Sequence, residues 1–92
     1  MKQEAALVYF SGRVQGVGFR FTCRQIAKGF SVTGYVKNLD DGRVEMMVEG
    51  ERAEIEEFLK AIGESHLKSF IRERTVDWQP ARAQWRDFHI EP

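Results

Sequence analysis

The segment from Gly12 to Arg20, which reads GRVQGVGFR, has the glycine spacing and the terminal arginine of an anion-binding loop. An apolar run precedes it and a helical pattern follows it, which predicts a loop between a strand and a helix N-terminus. Such a loop aims several backbone N–H groups at one point, and the helix N-terminus adds free N–H groups and a partial positive charge. Arg20 adds a planar fork of donors, so the segment predicts a socket for a phosphate-sized anion.

The common catalytic constellations are absent from the rest of the sequence. His66 and His89 are far apart, neither adjoins a cysteine or a carboxylate cluster, and no set of residues has the spacing of metal ligands. No Walker lysine follows the glycines, and the single cysteine, Cys23, falls on the apolar face of the predicted helix, where a core thiol is expected. We therefore predict an anion site that needs neither a metal nor a cofactor and has no general base.

An anion socket of this kind suits only some phosphate chemistry. Hydrolysis of an ordinary phosphate monoester is very slow and usually requires a metal pair or a covalent nucleophile. An acyl phosphate instead releases a carboxylate, which departs easily, so positioning and charge stabilisation suffice together with a neutral side chain that orients water. Asn38, at the end of the second predicted strand and just before the turn at residues 40–42, is the candidate for that role. The alternative interpretation is that Asn38 only forms the turn.

The hydrophobic periodicity predicts four main strands, two helices and a short closing strand. The strands are expected at residues 6–13, 34–38, 43–49 and 70–78, and the closing strand at residues 85–90. The first helix is expected to begin at Phe19, to run for roughly three turns and to end near Gly29. The second is expected to begin at Gly50 and to end at Gly63. Its predicted buried stripe consists of Ile55, Phe58, Leu59 and Ile62.

The order β-α-β-β-α-β predicts a ferredoxin-like α+β sandwich, in which an antiparallel sheet carries both helices on one face. Ninety-two residues without an internal repeat or linker are expected to form one domain, residues 1–92. In this topology the glycine loop and the second hairpin can approach the same edge of the sheet, which would bring Asn38 to the socket.

Two sequence blocks resemble the signature blocks of acylphosphatases. The first is GRVQGVGFR, and the second is GYVKNLDDGRVE from Gly34 to Glu45, and the spacing between Arg20 and Asn38 also fits the family. The resemblance is strong from about Val8 to Ile62 and weak beyond it, where a customary proline-containing turn is replaced. The chain is thus similar to acylphosphatases over the part that contains the predicted site.

The resemblance implies a ferredoxin-like fold and an enzyme that hydrolyses the carboxyl–phosphate bond of small acyl phosphates without a metal and without a covalent enzyme intermediate. Inorganic phosphate is then a product and is expected to inhibit competitively. By position, Arg20 would bind the phosphate and Asn38 would orient the attacking water. The substrate-binding cradle would consist of the backbone N–H groups of Gln15, Gly16, Val17, Gly18, Phe19 and Arg20.

A non-catalytic anion-binding or RNA-binding ferredoxin-like domain is the alternative function. RNA-binding members of this fold class carry stacking aromatics on the sheet, whereas the predicted central strand here offers Met46, Met47 and two glutamates. Lysine and arginine together number 14, as do the acids, which disfavours a nucleic-acid binder that relies on bulk charge. A carbamoyl-phosphate domain of a larger maturation enzyme is disfavoured by the chain length and by the lack of zinc-finger cysteines.

Charge and targeting signals set the remaining expectations. The stretch from Ala5 to Leu39 holds five basic residues and no acid, so the part that contains the glycine loop is locally electropositive. The sequence has no apolar run long enough to span a bilayer, no signal-peptide pattern and a single cysteine. We therefore expect a soluble, monomeric cytoplasmic protein that binds neither membranes nor nucleic acid.

Overall fold

The computed structural model describes residues 2–92, which form five strands, two α-helices and one 3-10 helix. In chain order these elements are β1 (Gln3–Gly12), α1 (Phe19–Ala27), β2 (Thr33–Asn38), β3 (Val44–Glu51), α2 (Arg52–Glu64), the 3-10 helix (His66–Phe70), β4 (Ile71–Pro80) and β5 (Phe88–Glu91). In this part of the chain, no helix is long and apolar enough to cross a membrane.

The strands form one sheet in the order β4-β1-β3-β2-β5. Strand β1 pairs antiparallel with β3 and β4, and β2 pairs antiparallel with β3, as the ferredoxin-like prediction requires. The predicted closing strand is present as β5, but it runs parallel to β2, so the sheet is mixed and not wholly antiparallel. The physical reason is that the chain leaves β4 at one edge and crosses to the opposite edge before it pairs again.

The core lies between the sheet and the two helices. Alternate residues of the central strands point into it: Val8 and Phe10 of β1 and Met46 of β3 have no exposed surface. Helix α2 buries the stripe predicted from its periodicity, and Cys23 of α1 is fully buried. Burial strongly raises the pKa of the Cys23 thiol, so this residue is a core side chain and not a nucleophile.

The predicted bounds hold for α1 and are wrong at both ends of α2. Helix α1 begins at Phe19 and ends at Ala27, with Lys28 as its C-cap and Gly29 directly beyond it. Gly50 stays in β3, where its backbone pairs with that of Glu4, and α2 begins only at Arg52. Gly63 lies inside α2, because Ser65 ends the helix: its hydroxyl donates to the Ile62 carbonyl at 2.6 Å and accepts the N–H of Leu67 at 3.1 Å.

Residues 81–87, which we call the crossing segment, cover the face of the sheet that carries no helix. Glu49, on that face of β3, accepts the backbone N–H groups of Arg82 at 2.6 Å and Ala83 at 3.0 Å. Trp85 packs against Tyr35 of β2 with a ring-centroid distance of 5.7 Å. Glu49 is therefore only 3% exposed. Strand β3 is buried on both faces at this position, whereas the sequence predicted a strand with one buried face. The crossing segment delivers β5 to the side of β2.

Candidate active site

A cavity of about 200 Å³ lies where the glycine loop, the start of α1, the end of β2 and β5 meet. The loop and Asn38 are thus brought together, as predicted from the topology. Five residues of the predicted site contribute to the cavity wall, together with three apolar residues from the loop, α1 and β5. The wall consists of Val14, Gly16, Gly18, Phe19, Arg20, Phe21, Asn38 and Ile90.

The loop owes its shape to two glycines. Gly16 and Gly18 have φ values of 78° and 75°, in the left-handed region that other residues rarely adopt. A Cβ atom built on either glycine meets no other atom within 4 Å. The requirement for glycine is therefore conformational, and the space beside the loop remains open to a ligand.

The N-terminus of α1 is arranged to receive an anion. Gly18 is its N-cap residue, no side chain caps the helix, and no acidic residue lies in its first turn. The first N–H groups of a helix have no partner within the helix, so here they remain available to an external acceptor. The cationic side chain of Arg20 would otherwise be unfavourable at this positive end of the helix dipole, which a bound anion offsets.

Arg20 is held in place by the other end of the chain. Its Nη1 atom donates to the backbone carbonyl of Glu91, on β5, at 3.1 Å. Among residues 2–92 its other N–H donors have no protein acceptor, and they form a planar fork suited to phosphoryl oxygens. Arg20 is also the only charged residue in the cavity wall.

Asn38 brings a buried acceptor to the same cavity. It is the last residue of β2, and its Oδ1 atom is buried without a hydrogen-bond partner among the described residues. A buried polar atom without a partner costs about 1–3 kcal/mol, and such atoms in native proteins call for a functional or solvent partner. The Oδ1 atom is therefore an acceptor that no described residue uses, on a residue that also lines the cavity.

Gln15 connects the loop to the β2–β3 hairpin. Its side-chain Nε2 donates to the carbonyls of Leu39 at 2.7 Å and Arg43 at 3.0 Å. These bonds hold the loop at a set distance from Asn38, a role the sequence did not indicate. Neither Gln15 nor Val17 is part of the cavity wall, and the proposed contact of their backbone N–H groups with substrate stays a prediction.

The wall contains no carboxylate, histidine or cysteine. Contrary to the sequence interpretation, His89 on β5 does lie beside carboxylates, since it contacts Asp87 and Glu91, each at 3.0 Å. The hydrogen bond with Glu91, and after it the one with Asp87, raises the pKa of the His89 imidazole, and His89 does not line the cavity. Within residues 2–92 no group of three or more His, Cys, Asp or Glu side chains could hold a metal ion. The wall groups can therefore bind, polarise and orient a ligand, but none of them is a general base.

Sequence reasoning missed three residues of the wall, which are Val14, Phe21 and Ile90. Ile90 reaches the site only because β5 pairs with β2, a contact between residues more than fifty positions apart. Phe21 had a local signal, since it directly follows Arg20 and lies off the buried stripe of α1, which contains Phe19 and Cys23. All three residues make the cavity wall more apolar than the predicted site.

A larger cavity, of about 550 Å³, lies between α2 and β4. Its charged side chains are of both signs, Glu56 and Glu64 against Lys60 and Arg74. The cavity contains none of the residues predicted to act. The smaller cavity is therefore the candidate active site.

The chain is similar to known acylphosphatases over almost its whole length. A family model described as Acylphosphatase matches residues 6–90. An acylphosphatase of Roseiflexus sp. (strain RS-1) is 39% identical over an alignment of 92 positions that covers 98% of this chain and 97% of that protein. The crystal structure of an acylphosphatase from Bacillus subtilis has a TM-score of 0.88 and 31% identity, covering 97% of this chain and 99% of that chain. A full-length HypF, in its phosphate- and nucleotide-bound form, has a TM-score of 0.86 and 30% identity, covering 99% of this chain and 12% of that chain.

Proposed function

The chain belongs to the acylphosphatase family and is an enzyme that hydrolyses small acyl phosphates, and from this premise we propose that Arg20 binds the phosphoryl group while Asn38 orients the attacking water. The observation that carries these roles is the Oδ1 atom of Asn38, which is buried without a protein partner beside a cavity that Arg20 also lines. A neutral acceptor next to a fixed cation suits a reaction that needs positioning and charge stabilisation more than acid–base chemistry.

Substrate binding follows from the donors around the cavity. The backbone N–H groups of residues 15–20 and the guanidinium of Arg20 surround the phosphoryl oxygens, whose negative charge is spread over all of them. The bond from Arg20 to the Glu91 carbonyl fixes the guanidinium before substrate arrives, so less side-chain entropy is lost on binding.

The hydrolytic step uses Asn38 as an acceptor. One hydrogen of the water bonds to Oδ1 of Asn38, which directs a lone pair of the water oxygen at phosphorus, in line with the leaving carboxylate. The new P–O bond forms as the bond between phosphorus and the acyl oxygen breaks, and its electron pair leaves with the carboxylate. The protons of the water pass to the phosphate product and to solvent, so no enzyme group changes its protonation state.

Several finer features belong to the same proposal. The reaction proceeds without a metal, and inorganic phosphate inhibits it by occupying the cradle. The chain acts as one domain and as a monomer. The burial of its one thiol, Cys23, suits a cytoplasmic location, where thiols stay reduced.

The test is hydrolysis of benzoyl phosphate by the purified protein in the presence of a chelator. We expect turnover in the wild type and its loss in Asn38→Ala. Calorimetric titration with phosphate measures whether the variant still binds the anion. Lys37→Ala is the matched control, because Lys37 is the neighbouring residue on β2, pairs with Glu45 at 3.6 Å and does not line the cavity.

Three outcomes would contradict parts of the proposal. Abolition by the chelator with rescue by a divalent metal would overturn the metal-free reaction. Loss of both turnover and phosphate binding in a folded Asn38→Ala would overturn the separate roles of Asn38 and Arg20. A folded wild type that binds phosphate but never turns over would be a non-catalytic anion-binding domain.

A further inference from the structure

Phe21 is the large apolar side chain that the fold leaves exposed among residues 2–92, with 58% of its surface accessible. Helix α1 buries Phe19, Cys23 and Ala27, and two residues after Phe19 the helix has turned by about 200°, so Phe21 points away from the core. A single exposed apolar residue is ordinary on a protein surface, so exposure by itself assigns no role.

The position of Phe21 is what points to a role. It directly follows Arg20 and lines the same cavity as Arg20 and Asn38. Because Phe21 lines the cavity and is also more than half exposed to solvent, it lies where the cavity meets the solvent. The rest of the wall is apolar apart from Arg20, Asn38 and the glycine backbone, since it contains Val14, Phe19 and Ile90.

A substrate in this cavity has two parts with different needs. The phosphoryl group requires the N–H donors and the cation, which lie at the loop and the start of α1. The acyl group must extend from it through the remaining space. A cavity of about 150 Å³ admits benzene. A cavity of about 200 Å³ is therefore too small to enclose a phosphoryl group and an aromatic acyl group together, and a large acyl group must extend to the opening.

We propose that Phe21 forms the acyl-binding subsite of this enzyme and gives it a preference for acyl phosphates with an aromatic or other large apolar acyl group. This inference rests on the proposed function and adds the substrate class. An aromatic acyl group would cover the exposed ring of Phe21 and pack against it in an offset or edge-to-face arrangement, both of which are favourable in water.

The contact lies away from the reacting bond, so it is equal in the ground state and the transition state. Its loss is therefore expected in KM, with kcat little changed. An aromatic pair of this kind corresponds to a change of roughly three- to tenfold in affinity.

The experiment compares benzoyl phosphate and acetyl phosphate as substrates of the wild type, Phe21→Ala, Phe21→Tyr and Gln25→Ala. We expect Phe21→Ala to raise KM for benzoyl phosphate by roughly three- to tenfold, while KM for acetyl phosphate and the inhibition constant of phosphate change less than about twofold. Phe21→Tyr keeps the ring and should retain the preference. Gln25→Ala is the matched control, since Gln25 is exposed one turn further along α1 and does not line the cavity.

The outcomes separate the subsite from the proposed function. Equal effects of Phe21→Ala on both substrates, or no effect on benzoyl phosphate, would overturn the subsite while the hydrolase remains. Retention of the preference in Phe21→Ala would likewise place the acyl contact elsewhere. If the folded wild type hydrolyses neither substrate, the proposed function is wrong and the subsite is rejected with it.

Discussion

Arg20 illustrates how one side chain combines local and distant constraints. Its place in the first turn of α1 puts it beside the loop N–H groups, and the Glu91 carbonyl holds its Nη1 atom at 3.1 Å. A cation at a helix N-terminus has no favourable partner in the helix dipole. Its stabilisation here comes from a carbonyl on β5 and, when present, from the bound anion.

Arg20→Ala should weaken phosphate binding, because it removes a charge-assisted contact worth about 1.5–3 kcal/mol. That corresponds to roughly a ten- to hundredfold rise in the inhibition constant of inorganic phosphate. Arg20→Lys keeps the charge but loses the planar fork, and should lie between the wild type and Arg20→Ala. Calorimetric titration with phosphate measures the change, and an unaltered constant in Arg20→Ala would show that the backbone cradle binds phosphate alone.

The side chain of Asn38 is expected to lower the stability of the free enzyme slightly. Its Oδ1 atom is buried without a protein partner, which is unfavourable in the free enzyme. The free energy of unfolding of Asn38→Ala should therefore equal that of the wild type or exceed it by up to about 1 kcal/mol, although we expect the variant to be inactive. Urea denaturation measures this, and a loss of stability would mean that the side chain has a structural partner that the proposal does not include.

At the scale of elements, the crossing segment completes the site because it brings β5 to the side of β2. Strand β5 has only four residues, and it reaches β2 because Glu49 and Tyr35 hold the preceding residues against the sheet. Gly34 of β2 also binds this segment, since its backbone N–H donates to the Asp87 carbonyl at 2.8 Å. The order of β5 thus depends on contacts made outside β5 itself.

Glu49→Ala should destabilise the protein by about 2–3 kcal/mol, because it leaves the N–H groups of Arg82 and Ala83 without their charged acceptor. We also expect weaker phosphate binding, since Glu91 would hold Arg20 less firmly. Glu51→Ala is the control: Glu51 lies two residues along β3 on the same face and makes no such bond. Urea denaturation and phosphate titration are the measurements, and wild-type stability in Glu49→Ala would show that the crossing segment does not depend on this anchor.

At the scale of the whole molecule, the site is a product of the complete fold. Its walls come from the loop after β1, from α1, from β2 and from β5, and these segments are joined through one core. Small single domains of this size usually unfold in one cooperative step. Within residues 2–92, no single element holds the glycine loop, Asn38 and the apolar wall together.

The loss of activity and the loss of secondary structure in urea should therefore have the same midpoint. Activity towards benzoyl phosphate and far-ultraviolet circular dichroism, measured on the same samples, provide the comparison. Loss of activity at a clearly lower urea concentration would indicate that β5 detaches before the rest of the sheet. In that case Glu49→Ala should widen the gap between the two midpoints.

The sequence by itself determined the ferredoxin-like class, the strand and helix types and the two blocks around Arg20 and Asn38. These features follow from local chemistry: periodic apolar residues, closely spaced glycines and an arginine after them are all visible within short windows. Helix ends were less predictable. Gly63 has the right residue type for a terminus, yet Ser65 makes the hydrogen bonds that end α2.

Only the tertiary structure decided how the site is completed. The parallel pairing of β5 with β2, the bond from Arg20 to the Glu91 carbonyl and the Gln15 bonds to the hairpin all join residues far apart in the chain. Phe21 became a candidate acyl contact only because the fold places it in the wall of the same cavity as Asn38. The reason is physical: local patterns specify which face of an element is buried, whereas contacts between distant segments depend on how the whole chain packs.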